Sequence, residues 1–129
     1  VLLHLVLHGE PCSKGRPRWG RGRTYTPKAT RYAESFIAWH AAQMLRRHLD
    51  DEGGRYWMRL TFYSARLWGA DIDNLAKLIM DALSPRRMKR RAAGPGMLWR
   101  NDRQIVSMSV ERHDRSREPR TEITVGRYN

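Results

Sequence analysis

RYWMRLTFYSA, residues 55–65, alternates along its whole length, and Tyr56, Met58, Leu60 and Phe62 fall on one side of an extended chain. That period predicts a strand with one buried face. A single strand buries nothing alone, so the chain around it must supply a sheet and a second layer.

Working outward, residues 2–8 alternate apolar residues with histidine and read as a strand rather than a leader peptide. Gln104 to Arg112 and Arg120 to Arg127 also alternate, with HDRSREP between them, and read as a terminal hairpin. Two helices are expected between the strands. One starts at Thr26-Pro27 and runs to about His48, with Phe36, Ile37, His40, Met44 and Leu45 on one face. The other spans Asn74 to Leu83, with Asp73 as its N-cap and Leu75, Leu78, Ile79 and Ala82 as its buried stripe. GEPCSKGRPRWGRGRTYTP (9–27) has no period and reads as a loop, Asp50 to Gly54 is a break, and SPRRMKRRAAGPGM (84–97) is a basic loop. The order β-α-β-α-β-β predicts an α+β fold: a two-layer sandwich, with two helices on one face of a small mixed sheet, in a single domain over residues 1–129.

Charge narrows the function. The chain has 25 Lys or Arg against 13 Asp or Glu, a net charge of +12. Only Lys14, Lys28, Lys77 and Lys89 are lysines, so arginine, whose planar fork matches phosphate, dominates. A small domain this positive is expected to meet a polyanion, most often nucleic acid. No apolar run is long enough for a membrane span. Cys12 is the only cysteine, which excludes an intramolecular disulfide and a thiol zinc site, and leaves the cytoplasm as the expected compartment. The histidines, including His4, His8, His40 and His48, lack a ligand spacing and receive no catalytic role, and Cys12 reads as an inert loop thiol.

Against this background DIDNLAKLIMD (71–81) stands out, because a chain poor in acids gathers three of them there. On an extended segment Asp71 and Asp73 face the same way, and two adjacent carboxylates need a cation or a proton between them. Mg²⁺ is the natural occupant, since it takes oxygen ligands, few protein contacts and several waters. Asp73, Lys77 and Asp81 follow at four-residue spacing and would form a ladder of ion pairs along the helix. Asp102, in LWRNDRQIV, is the candidate third carboxylate; taken alone, Asn101-Asp102 reads as a turn.

These residues resemble the RusA family of Holliday junction resolvases. Asp71-Ile72-Asp73-Asn74-Leu75-Ala76-Lys77, Asp81-Ala82-Leu83 and Trp99-Arg100-Asn101-Asp102-Arg103-Gln104-Ile105 carry the resemblance, with Gly9, Pro11, Lys14, Arg16, Pro17, Arg18 and Tyr25-Thr26-Pro27 upstream. It implies a homodimeric, Mg²⁺-dependent endonuclease, with Mn²⁺ as an alternative metal, that cuts four-way branched DNA by paired symmetric nicks in recombination and repair. By position it implies Asp71, Asp73 and Asp102 as metal ligands, Lys77 as a catalytic lysine, and Asn74, Asp81 and Asn101 in support. Asn101 departs from the family, which often has a second aspartate there.

The cations divide into two runs. Lys14, Arg16, Arg18, Arg21, Arg23, Lys28 and Arg31 occur without an intervening acid, interleaved with Trp19 and Tyr25. Arginines there would fix phosphates, while Trp19 is open between wedging into unstacked bases and packing on a partner subunit. Arg86, Arg87, Lys89, Arg90 and Arg91 form the second run. A non-catalytic branched-DNA-binding protein, or a metal-dependent nuclease acting on other branched DNA, would use the same cations; only the aspartates separate binding from cutting.

Overall fold

Along the chain the elements are β1 (Leu3–His8), β2 (Arg18–Gly20), β3 (Arg23–Tyr25), α1 (Lys28–Met44), β4 (Tyr56–Tyr63), α2 (Ile72–Leu83), a 3₁₀ turn (Asp102–Gln104), β5 (Ile105–His113) and β6 (Arg120–Arg127). The computed structural model describes residues 2–12, 18–20, 23–25, 28–44, 53–66, 71–84, 99 and 101–129.

Strand β4 behaves as its alternation predicts: Tyr56, Met58, Leu60 and Phe62 are all buried. Across the sheet Met58 faces Val125 and Val125 faces Leu3, while Leu60 faces Ile123 and Ile123 faces Leu5. These rows put the large buried apolar residues of the strands on one face. Ile37, Ala38, Ala41 and Ala42 of α1 and Leu75, Leu78, Ile79, Ala82 and Leu83 of α2 close over them to form the core. The result is a mixed four-stranded sheet with two helices on one face, the α+β arrangement expected.

Three local expectations fail. First, β5 and β6 are not a hairpin. The sheet order is β1-β6-β4-β5, so β4 lies between them, antiparallel to β6 and parallel to β5. Strand β4 is buried on its core face from end to end and takes a partner on both edges; sequence adjacency gives way to that demand. The intervening turn steps over the end of β4: Ser64 N donates to His113 O (2.8 Å), and Ser116 N donates to Ser64 O (2.7 Å).

Second, segment 9–27 is not devoid of strand. β2 and β3 pair antiparallel, with Gly20 opposite Arg23. A two-residue connection containing glycine between short β-favouring runs is a hairpin signal, and it was masked by the density of Gly, Pro and Arg around it.

Third, α1 buries a different face from the one its large side chains suggest. Thr30, Glu34, Ile37, Ala38, Ala41 and Ala42 point inward, whereas Phe36 and Met44 are 47% and 52% exposed. Leu45 and His48 lie outside the described residues. Small side chains let α1 approach α2 closely, so packing against a neighbouring helix overrides the pull of size.

Among the described residues no helix packs on the opposite face of the sheet. There the Trp57 ring lies over Gly126, so that a Cβ at 126 would sit 2.5 Å from the indole. Gly9, at φ 113°, ends β1 in the left-handed region where glycine is favoured. No described helix is long and apolar enough to cross a membrane.

Candidate active site

The helix carrying the acids starts earlier than expected. Asp71, in extended conformation (φ −57°, ψ 142°), occupies the N-cap, and its side chain makes no capping hydrogen bond. Asp73 is therefore inside the first turn instead of at the cap. Both positions suit an aspartate: the first needs an acceptor-rich side chain and the second gains from the helix dipole, so the sequence could not choose between them. Asp73 Oδ1 accepts from Asn74 N at 3.0 Å. Both carboxylates are exposed, and that of Asp71 has no partner among the described residues.

Lys77, one turn on, is also exposed. The expected ladder does not form, because among the described residues Lys77 makes no ion pair within 4.0 Å. Its ammonium group is left to solvent. Asp81 is partly buried; its backbone oxygen accepts from Ser84 Oγ at 2.9 Å, closing the helix. Asp73 and Lys77, with Ile72, Ala76 and Met80, border a groove of about 460 Å³ whose far wall is Met108 and Val110 of β5.

Asp102 is held elsewhere and firmly. It opens the 3₁₀ turn that leads into β5. Trp99, wholly buried, donates its indole Nε1–H to Asp102 Oδ1 at 2.7 Å. Asn101 is the N-cap: its side-chain oxygen accepts from Arg103 N (2.9 Å), while Gln104 Oε1 accepts from Asn101 N (3.0 Å), a complete capping box. Gln104 Nε2 donates to Gly54 O at 2.9 Å and fixes the turn beside the start of β4. Asparagine at 101 is thus accounted for by capping, which needs an acceptor and no charge.

Asp71 and Asp73 are two residues apart at the start of α2, but with Asp71 extended and Asp73 inside the helix they do not share the extended segment expected to turn both one way, and Asp102 does not join them within one chain. Among the described residues no group of three His, Cys, Asp or Glu side chains could share a metal ion. Asp73 sits beside the middle of β5 and Asp102 precedes that strand, a separation on the order of 15 Å at strand rise. The pair at the start of α2 nonetheless fits a hard divalent ion: two exposed carboxylates with hard oxygen donors, and a solvent-facing side for waters.

Of the cations, Lys28 is exposed at the first position of α1. Arg18 and Arg23 lie in β2 and β3, with side chains outside the described residues, and Lys14, Arg16, Arg21, Arg86, Arg87, Lys89, Arg90 and Arg91 lie outside them altogether.

One positioning contact escaped the sequence reading. The Glu10 carboxylate accepts from Ser64 Oγ and, at 3.1 Å, from Ala65 N, so the segment after β1 is clamped to the segment after β4. The Ser64 hydrogen bond is the main cause of a Glu10 pKa below the ordinary glutamate value; desolvation opposes it, and the Ala65 hydrogen bond and the Arg66 charge add to the lowering. Nothing in the spacing of residues 10 and 64 signals this pair. Cys12 is exposed at the rim of a cavity, where desolvation first and then the nearby Glu34 carboxylate raise its pKa.

The family model described as Endodeoxyribonuclease RusA matches residues 8–126. That span contains each of the carboxylates and cations above. No curated protein matches the chain.

Proposed function

The chain belongs to the RusA endodeoxyribonuclease family, and from that premise we propose that it is a Mg²⁺-dependent enzyme that resolves four-way DNA junctions by paired, symmetric nicks. The observation that carries the catalytic part is the start of α2: two exposed carboxylates uncommitted to capping ion pairs, followed one turn later by a lysine without an ion pair among the described residues. A purely structural helix start would use its acids and its lysine on each other.

The reading includes a homodimer. Among the described strands β5 lies at the edge of the sheet. In such a dimer a twofold axis beside that edge would bring Asp102 of one copy towards the Asp71–Asp73 pair of the other and so supply the third acid that a single chain does not bring to them. It would also give two sites related by symmetry, as paired nicks require.

Asp71, Asp73 and Asp102 would hold the ion, which when bound supplies Lewis-acid activation of water and of the scissile phosphate. The chain's own residues do the rest. Trp99 fixes the Asp102 carboxylate through one oxygen and leaves the other for ligation. Lys77 presents a fixed positive charge beside the groove, where negative charge grows on the phosphate. The test is cleavage of a labelled mobile four-way junction and of a matched linear duplex, with Mg²⁺ or EDTA, by the parent chain and Asp73→Asn. Metal-dependent symmetric nicks on the junction alone, lost in Asp73→Asn, are expected. Binding without cutting under every divalent ion tried would leave a branched-DNA-binding protein.

A further inference from the structure

The outward face of α1 has no part in the chemistry above. Lys28, Arg31, Tyr32, Ser35, Phe36 and Trp39 recur there at three- and four-residue spacing, opposite the buried stripe that begins at Thr30 and Glu34. Tyr32 is 76% exposed, Phe36 47% and Trp39 49%. The His40 ring packs 4.3 Å from Phe36 and edge-on to Trp39 at 5.0 Å, so the rings form one aromatic strip. Large rings set in water along a single face mark a binding surface. Tyr32 and Phe36 also wall a cavity of about 250 Å³ between α1, α2 and the end of β1, lined further by His8, Glu10 and Cys12. That volume is below the ~300–1,000 Å³ of drug-sized pockets and suits a single ring system.

Charge decides the occupant. The only acid on α1, Glu34, is buried on the other face, whereas Lys28 and Arg31 are exposed beside the rings. The chain running on from Cys12 carries Lys14, Arg16, Arg18, Arg21 and Arg23 and meets no acid before Arg31. Along α1 the exposed charge is of one sign and interleaved with rings, while the Glu10 carboxylate that borders the cavity is engaged by Ser64 and Ala65; such a helix face complements a polyanion that offers flat apolar faces.

We propose that this face of α1, with the cavity beside it, holds unpaired nucleotides of branched DNA, their phosphates against Lys28 and Arg31 and their bases stacked on Tyr32 and Phe36. The proposal rests on DNA being the substrate, as argued above, and deepens it. Stacking needs only the π-face of a base, so recognition there is tolerant of sequence, and a continuous duplex keeps those faces covered. The helix would therefore favour a branch over linear DNA without reading bases, a task separate from the metal-binding acids.

The test uses the full chain with Ca²⁺ in place of Mg²⁺, a four-way junction and a fork carrying 2-aminopurine at the unpaired position, and a linear duplex. Affinity by anisotropy and 2-aminopurine emission are read for the parent, for Tyr32→Ala/Phe36→Ser, and for the ring-preserving Tyr32→Phe/Phe36→Tyr. The ring-deleting variant should lose about tenfold or more in affinity for the branched probes. It should keep the parent's affinity for the duplex, the parent's dependence on salt and its melting temperature, and the ring-preserving variant should behave as the parent. Lys28→Gln/Arg31→Gln should instead flatten the salt dependence. Unchanged selectivity in the ring-deleting variant overturns the proposal. So does a loss of self-association with selectivity intact, which would give the face to a second copy. Parent protein that cuts junctions while the ring-deleting variant binds normally sinks the stacking face alone; parent protein that never cuts but loses branched-DNA binding with the rings sinks only the nuclease reading.

Discussion

The indole N–H of Trp99 reaches Oδ1 of Asp102 at 2.7 Å, from a ring that is wholly buried beside Tyr56. A carboxylate at the surface is thus aimed by a donor in the core. Trp99→Phe keeps the ring and removes the donor. Hydrogen bonds to charged groups contribute about 1.5–3 kcal/mol, so the Mg²⁺ concentration for half-maximal cleavage should rise about tenfold or more. Melting should move far less than in Trp99→Ala, where a cavity costs about 3–5 kcal/mol. Equal metal dependence in Trp99→Phe and the parent would count against this aiming role.

Lys77 should separate catalysis from stability. With no ion pair among the described residues, Lys77→Met should leave unfolding within about 0.5 kcal/mol of the parent. Junction cleavage should nonetheless fall by about a hundredfold if the charge stabilises the reacting phosphate. A normal cleavage rate in Lys77→Met would remove the lysine from the chemistry.

Asn101 is a capping residue by geometry, so Asn101→Asp should melt like the parent and Asn101→Ala should cost about 1 kcal/mol. Chemical denaturation of the three proteins decides it. A loss in Asn101→Asp equal to that in Asn101→Ala would mean that charge at this position is harmful in itself.

Glu10 predicts a pH effect. Its folded pKa is depressed, first by the Ser64 hydrogen bond. The stability it contributes is therefore complete above the unfolded glutamate pKa and is lost as pH falls through the lower folded value. The carboxylate is largely exposed, so the effect is small and screened. In Glu10→Gln the acid limb of a stability–pH curve should be shallower than in the parent, and the two curves should run parallel near neutrality. Identical acid limbs would show that the clamp carries no charge-dependent stability.

Gly126 and Trp57 should be coupled. An added Cβ would lie 2.5 Å from the indole, and overpacking of this kind costs about 1–3 kcal/mol. Gly126→Ala should destabilise the parent but do little in a Trp57→Ala background, a non-additivity that a double-mutant cycle measures.

The sequence was most legible where one period and one partner decide the outcome. In β4, Tyr56, Met58, Leu60 and Phe62 had to share a face whatever they packed on, and the stripe of α2 followed in the same way. It was least legible where a choice depends on a distant surface. Phe36 looked like core because it is large, yet Ala38 and Ala41 are what fit against α2. Asp71 and Asp73 are both good caps, and only the backbone shows which one serves. The strand neighbours of β4 cannot be read from its own residues. At the candidate site the residue types were readable, whereas the donor from Trp99 and the clamp between Glu10 and Ser64 depend on contacts that no spacing encodes.

The position of β6 bears on how the protein is made. The last of the described strands fills the gap between β1 and β4, so neither of its neighbours finds this partner until residues beyond 120 have been synthesised. Pairing β1 with β6 joins positions over a hundred residues apart, a closure that slows folding. During translation β1 and β4 must wait with open edges, exposed to wrong partners or chaperones. A benefit goes with that delay: the sheet that supports both acid-bearing segments is assembled last, so a half-made nuclease has no scaffold on which to cut.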